Sequence, residues 1–244
     1  MPKQRLDNLL VLRGLAVNKS KAHALIMAGE VTVSGKVITK AGSLVAEDAA
    51  IEIARKPPYV SRGGIKLAHA LDEFKLDVIS LIAMDIGAST GGFTDCLLQH
   101  GAGKVCAIDV GYGQLDYKLR KDHRVVVRDK TNVHHPFTLP EKADLATVDV
   151  SFISVTKVIP NIVENLKPSG YIIVLLKPQF EAEKSEVGKG GIIKDPLVHA
   201  KVIGRFIVWI IDYGLRLHGL VASPITGADG NQEFLLLLTP GLHP

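Results

Sequence analysis

The 244-residue sequence predicts an α/β protein, a mostly parallel sheet with an antiparallel terminal hairpin, preceded by a small α+β module. Three observations carry this. Beyond residue 60, short apolar runs alternate with amphipathic stretches, as strands and crossover helices do. The last two apolar runs are separated only by turn residues, which implies an antiparallel pair. The first 55 residues show two short helical patterns and a hairpin, and they carry the excess charge: residues 1–56 hold nine Lys or Arg against five Asp or Glu, whereas the remainder holds twenty of each.

The hydrophobic fraction of 47% is ample for a core. No apolar run approaches the roughly 18 residues of a membrane span, and the start, M-P-K-Q-R-L-D, lacks the apolar centre of a signal peptide. A soluble cytoplasmic protein is expected. Cys96 and Cys106 fall in helix and strand patterns without ligand spacing to the histidines, so they read as buried small hydrophobes. His134 and His135 precede Pro136 with no third ligand nearby, so no metal is expected. The uneven charge points to an anionic partner, nucleic acid first.

In the N-terminal module, residues 1–55, Leu6 to Leu12 make one helix. Asn18 or Ser20 caps a second that runs to Gly29. The alternating V-T-V-S-G-K-V-I is a hairpin turning at Ser34 and Gly35, and Ile51 to Ile53 supplies a third strand. The phrase K-A-H-A-L-I-M-A-G-E-V-T-V-S-G-K-V resembles the S-four-type RNA-binding domain. That resemblance implies that Arg5, Lys19, Lys21 and Lys36 meet RNA phosphates, contacts that position RNA without reading its sequence.

Residues 56–60, with Pro57 and Pro58, read as an extended linker to the second domain, residues 61–244. Ser61 is expected to cap a helix whose stripe is Ile65, Ala68 and Leu71, with Lys66 off it. Strands follow at Leu81 to Ile86, Val105 to Val110, Val125 to Val127, Leu145 to Val148 and Tyr171 to Leu176. Helices are expected at Phe93 to His100, Gln114 to Lys121, Val155 to Leu166 and Val198 to Tyr213. The final strands, Leu220 to Ser223 and Phe234 to Leu238, are expected to join through a tight turn at D-G-N-Q. This layout is that of the Rossmann-like S-adenosylmethionine-dependent methyltransferase fold.

The stretch M-D-I-G-A-S-T-G-G-F-T-D passes from strand through glycine-rich turn to helix, and aims backbone N–H groups and a helix N-terminus at a ligand. Gly87, Ala88, Ser89, Thr90, Gly91, Gly92 and Phe93 are the candidate cofactor loop. A dinucleotide fingerprint G-x-G-x-x-G needs glycine where Ser89 stands, for close approach to a pyrophosphate. S-adenosylmethionine has no pyrophosphate and tolerates the serine. Asp109 fits the ribose hydroxyls in either case. Asp85 reads as lying near the cofactor's amino-acid end or as capping the next turn, and Asp129 as an adenine contact.

Strand four ends in D-V-S-F-I-S, without the Asn/Asp-Pro-Pro-aromatic signature of exocyclic-amine methylation, and no cysteine is placed for attack at a pyrimidine carbon. Lys66, Asp149, Lys177 and Glu233 remain, at strand or helix ends. A ribose hydroxyl becomes nucleophilic when its proton is removed or shared, and lysine is a base where burial or a neighbouring cation disfavours its charged form. In order and context these four resemble the Lys-Asp-Lys-Glu tetrad of FtsJ-like ribose 2'-O-methyltransferases. S-R-G-G-I-K-L, D-I-G-A-S-T-G-G-F-T-D, D-V-G-Y-G-Q-L, D-V-S-F-I-S, K-P-Q-F-E and G-N-Q-E-F resemble the TlyA group among them. The resemblance implies S-adenosylmethionine as cofactor, ribosomal RNA as partner, the role of base for Lys177 ahead of Lys66, and no membrane role. Arg62 and Lys189, the latter in a flap from Glu181 to Gly191, are further candidate RNA contacts. The rivals are a non-catalytic ribosome-assembly factor, a cytolysin, as the family label hemolysin suggests, and a nicotinamide oxidoreductase.

Overall fold

The structure, a computed structural model, describes residues 2–53, 57–188, 190–227 and 229–241. It divides into two compact units, Met1–Pro57 and Pro58–Pro244.

The first unit runs β1 (Lys3–Arg5), α1 (Leu6–Leu12), α2 (Lys19–Met27), β2 (Val31–Val33), β3 (Lys36–Val37), β4 (Leu44–Ala46) and β5 (Ile51–Ile53). Asn18 caps α2, its side chain accepting from Lys21 N at 2.9 Å. The β2–β3 turn uses positive φ at both Ser34 and Gly35, 48° and 78°, which matches strand twist in a two-residue hairpin. Strand β2 pairs with β3 and β5, while β1 and β4 form a separate antiparallel pair that the sequence patterns did not indicate. Leu6, Leu10, Ala22, Ile26 and Val31 form the core.

The second unit begins with α3 (Gly63–Glu73), β6 (Ile82–Ile86), α4 (Gly92–Gln99), β7 (Lys104–Ile108), α5 (Tyr117–Lys121) and β8 (Val125–Arg128). It continues through β9 (Ala143–Val148), a 3-10 turn (Val155–Lys157), α6 (Ile159–Val163), β10 (Leu166–Leu176), α7 (Pro178–Glu181), α8 (Pro196–Asp212), β11 (Leu215–Ala222) and β12 (Phe234–Pro240). The seven strands order as β11-β12-β10-β9-β6-β7-β8. From β10 to β8 all neighbours are parallel, and β12 is antiparallel to both β10 and β11. Strand order reverses between β6 and β9, the crevice where open α/β sheets bind ligands.

Alternate residues of the strands feed two cores. Met84, Ile86, Ala146, Val148, Ile172 and Leu236 pack with α6 and α8. Ala83, Ala107, Leu145, Ile173 and Leu235 pack with α3, α4 and α5 on the other face. Both faces are covered, which is why the strands read as continuous apolar runs.

Several expected elements differ in detail. Ser61 does not cap α3 through its side chain; the helix starts at Gly63 with Arg62 already helical. The Ser61 hydroxyl instead fills the gap over Gly92, where any Cβ would overlap it. The buried face of α3 is Gly64, Lys66, Leu67, Ala70 and Leu71, so Lys66 lies inside rather than beside the stripe, held by an acidic partner described below. The helix expected at Val155 to Leu166 breaks into a 3-10 turn and the five-residue α6, because Pro160 brings no N–H and sits at the start of a new helix. The segment Gln114 to Asp116 stays out of α5, since the Asp116 side chain caps that helix by accepting from Lys118 N. The β11–β12 connection is not a tight turn. Asn231 spends its side chain on Ile193 N and Gly191 O, and Gln232 donates to Ser223 O, which ties D-G-N-Q into a longer loop. Pro58 to Val60, in the expected linker, are fastened to α4: Gln99 Nε2 donates to Pro58 O and Val60 N donates to Asp95 Oδ2.

Helices α3 and α4 meet through glycines, because a Cβ at Gly92 would also lie 2.9 Å from Gly64 N. Gly92→Ala is therefore expected to lower the urea unfolding midpoint. Gly204→Ala, at an exposed interior position of α8 with open space around it, is expected to raise stability by about 0.5–1 kcal/mol. Equal effects of the two substitutions in urea titrations would contradict this packing.

Candidate functional site

The loop after β6 is built by close approach. Gly87 takes φ +79°, and a side chain there would overlap the carbonyl of Asp149. The crossing brings the end of β6 over the end of β9, with Asp149 N donating to Ile86 O at 2.9 Å and Gly87 N to Ile108 O at 2.9 Å. Ser89 adopts φ +47°, so the chain takes a left-handed turn there without glycine.

A cavity of about 270 Å³ opens beside this loop, and Lys66, Asp149, Lys177 and Glu233 all line it, with Gly87, Ala88, Ser89, Thr90, Gly92 and Phe93 from the loop. Lys66 pairs with Glu233 in a buried contact that joins α3 to the residue before β12. Lys177, just past β10, places Nζ 2.6 Å from Asp149 Oδ1 and donates to Ser151 Oγ at 2.9 Å. The Lys177–Asp149 approach is one of charge alone: Asp149 Oδ1 is buried and has no hydrogen-bond partner. Breaking the buried Lys66–Glu233 pair would leave an uncompensated charge, whereas Lys177 and Asp149 are only partly buried and stay within reach of water.

A second cavity, about 520 Å³, shares Gly87, Ser89 and Asp149 with the first and is walled by Ile108, Val133 and Val158. Asp109 lines it. Its Oδ2 accepts from Ser89 N at 2.8 Å and its Oδ1 from Gly111 N at 2.7 Å, which holds the carboxylate at the end of β7.

The remaining candidates lie elsewhere. Asp85 is fully buried beneath the loop and lines neither cavity; its oxygens accept from Thr94 Oγ1 at 2.6 Å and Thr147 Oγ1 at 3.1 Å. Gly91 is packed under Leu115 and Leu119 as the N-cap of α4, outside both cavities. Asp129 also lines neither; Arg120 binds it at 2.9 Å and holds its carboxyl below the usual range. Arg62 is exposed at the mouth of the first cavity. In the N-terminal unit Lys19, Lys21 and Lys36 are exposed, whereas Arg5 is engaged by the buried Asp7 through Nε and Nη2 at 3.0 and 2.7 Å. Lys189 lies outside the described residues.

Sequence reasoning passed over Ser61 and Ser151, which line the first and second cavities. Ser151 stood two residues after Asp149 in D-V-S-F-I-S, a sufficient signal once that strand end was suspected. Thr94 and Thr147 carried none, because a threonine that bonds a buried carboxylate looks like any other threonine in a helix or strand.

A family model described as FtsJ-like methyltransferase matches residues 59–239, and an S4 domain model matches residues 4–51. The chain is 49% identical over 243 residues to the Bacillus subtilis protein named "Putative rRNA methyltransferase YqxC", covering 97% of this chain and 85% of that one. It is 40% identical over 240 residues to the 16S/23S rRNA (cytidine-2'-O)-methyltransferase TlyA of Mycobacterium tuberculosis, covering 97% and 90%. A solved structure named "Putative hemolysin from Streptococcus thermophilus" is similar with a TM-score of 0.76 at 40% identity, over 100% of this chain and 90% of that one. An S-adenosylmethionine-dependent methyltransferase of Mesorhizobium loti shares the fold alone, with a TM-score of 0.54 at 16% identity, over 70% and 96%.

Burial pushes the Asp85 carboxyl up to about 6 from an ordinary 3.8, against the lowering effect of its two threonine donors. Because the folded value is the higher one, the protonated carboxyl stabilises the fold fully below pH 3.8, and this contribution is lost as pH rises through about 6. Asp85→Asn, which cannot ionise, is expected to gain stability relative to the wild type across that interval and to hold a constant difference above it. Unfolding free energies of both proteins from pH 4 to 8 check this; a difference independent of pH would contradict it.

Proposed function

The chain belongs to the FtsJ-like methyltransferase family, and from that premise we propose that it transfers a methyl group from S-adenosylmethionine to a ribose 2'-hydroxyl of ribosomal RNA. The observation that carries the reading is the convergence of Lys66, Asp149, Lys177 and Glu233, from four separate segments, on one cavity beside the glycine-rich loop. The name of the Mycobacterium tuberculosis relative, a 2'-O-methyltransferase of cytidine in 16S and 23S rRNA, supports the substrate class. In this reading residues 1–55 hold the RNA and residues 61–244 perform the transfer, in the cytoplasm. Among the described residues no helix is long and apolar enough to cross a membrane, and no cluster suited to a metal ion occurs.

The donor set fits the cofactor. Asp109 presents a carboxylate, braced by two backbone N–H groups, into an apolar-walled cavity, which suits a ribose diol joined to an adenine. Asp149, which lines both cavities, puts a carboxylate where they meet, which suits the cationic end of the molecule. S-adenosylmethionine supplies an electrophilic methyl group on a sulfonium. Within the chain, Lys177, once it has lost its own proton and stands as the neutral amine, takes the proton of the 2'-hydroxyl, and Asp149 and Ser151 fix its Nζ in place. Lys66 places a second cation at the cavity, and Glu233 balances it inside the fold.

Lys177→Ala is expected to lower methyl transfer to ribosomal RNA by about 10²–10⁴-fold with an unchanged melting temperature. Labelled transfer to ribosomal subunits and naked RNA, with the label mapped to base or ribose, tests this; label on a base, or an active Lys177→Ala, would overturn the assignment. Lys19→Gln, Lys21→Gln and Lys36→Gln are each expected to weaken RNA binding and to reduce the slope of log affinity against log salt by about 1. Salt titrations of binding check this, and three unchanged slopes would remove the N-terminal unit from RNA binding.

A further inference from the structure

Beyond the cavities, the surface past the C-terminal ends of β7 and β8 carries two exposed tyrosines that the site does not use. Tyr112 is 73% exposed and Tyr117 66%. Each ring has a lysine ammonium over it: Lys130 Nζ is 4.8 Å from the Tyr112 centroid and Lys121 Nζ 4.4 Å from the Tyr117 centroid. A cation over one face leaves the other face of each ring open to a π-partner.

The two rings border the transfer site. Tyr112 lies between Val110 and Gln114, both of which line the larger cavity. Tyr117 follows Asp116, whose N–H donates to Thr90 O at 3.1 Å in the cofactor loop. The loops bearing the rings are stitched together, since Lys130 N donates to Gly111 O at 2.9 Å and Gly113 N to Asp129 Oδ2 at 3.3 Å.

The charge balance of this rim favours a polyanion. Its acidic side chains are engaged internally: Asp109 with Ser89 N and Gly111 N, Asp116 with Lys118 N, Asp129 with Arg120. Among the described residues, Lys121 and Lys130 form no ion pair. Exposed aromatic faces interleaved with free cations match the chemistry of an unpaired RNA strand, whose bases stack and whose phosphates pair; a duplex offers phosphates but no open base faces.

We propose that Tyr112 and Tyr117 form a stacking platform for unpaired nucleotides flanking the one that is methylated. The inference rests on the RNA-methyltransferase reading and narrows its substrate to a segment with exposed bases. Stacking on the free ring faces holds the strand, and Lys121 and Lys130 sit toward its phosphates.

The test uses the full chain and two probes, a 12-nucleotide single-stranded oligoribonucleotide carrying 2-aminopurine and the corresponding duplex. Tyr112→Ala/Tyr117→Ala is expected to weaken single-strand binding about tenfold or more and to remove the fluorescence quench of the stacked base. Tyr112→Phe/Tyr117→Phe retains both, and duplex binding and the S-adenosylmethionine dissociation constant stay unchanged in each variant. Single-strand binding equal in the alanine variant and the wild type, an equal loss in the phenylalanine variant, a matching loss on the duplex, or no quench with the wild type would each overturn the platform. Methyl transfer by the wild type is measured separately. Its absence alongside the expected stacking pattern would instead overturn the catalytic reading and leave the platform standing.

Discussion

The close crossing of two backbones, Gly87 over Asp149, is the constraint on which the rest of the site depends. A side chain on residue 87 would force the β6 and β9 ends apart, and that separation would open the gap between Asp149 and the glycine-rich loop. Asp149 belongs to both cavities, and Lys177 reaches it from β10 because the parallel register puts the ends of β9 and β10 side by side. The position where strand order reverses is thus filled with backbone rather than side chain, and the cleared space on either side becomes the pair of cavities.

Around that crossing the protein buries polar groups in fixed couples. Asp85 is held by a helix hydroxyl and a strand hydroxyl, which ties α4 and β9 to β6 on the same sheet face. Lys66 and Glu233 join the first helix of the second unit to its last strand. Buried couples of this kind add little net stability compared with apolar residues of the same size, because the desolvation of each charge offsets their attraction. They do reject alternative packings, since any shift of α3 against β12 would separate two buried charges. The apolar cores on the two sheet faces carry the stability, and the polar couples fix where the elements stop sliding.

Much of this was legible in the sequence. Apolar runs located all seven strands of the large sheet, and the glycine-rich turn located a loop that lines a cavity, because each reflects a local rule of periodicity or conformation. The four residues of the tetrad could be named from strand and helix ends together with the family resemblance, and the fold brings all four to one cavity. Legibility stopped where long-range pairing decides. Helical spacing put Lys66 off the buried stripe of α3, since nothing within that helix announces Glu233, which lies 167 residues away. Gly91 read as part of the ligand loop, yet it packs beneath leucines of the following segment. The D-G-N-Q stretch had the composition of a tight turn, but the Asn231 side chain reaches across to Gly191 and Ile193, a bond that no local pattern encodes.

Strand β12 is the last strand of the described chain, but in space it is inserted between β10 and β11, both of which precede it in sequence. A nascent chain that has emerged only as far as β11 has a slot in its sheet and a Lys66 without its acid. Residues that bring a carboxylate to the cavity arrive with the same segment that fills the slot, so assembly of the sheet and completion of the site are one event. A chain interrupted before that segment would therefore carry the glycine-rich loop but leave Lys66 without Glu233 and β10 without its antiparallel neighbour.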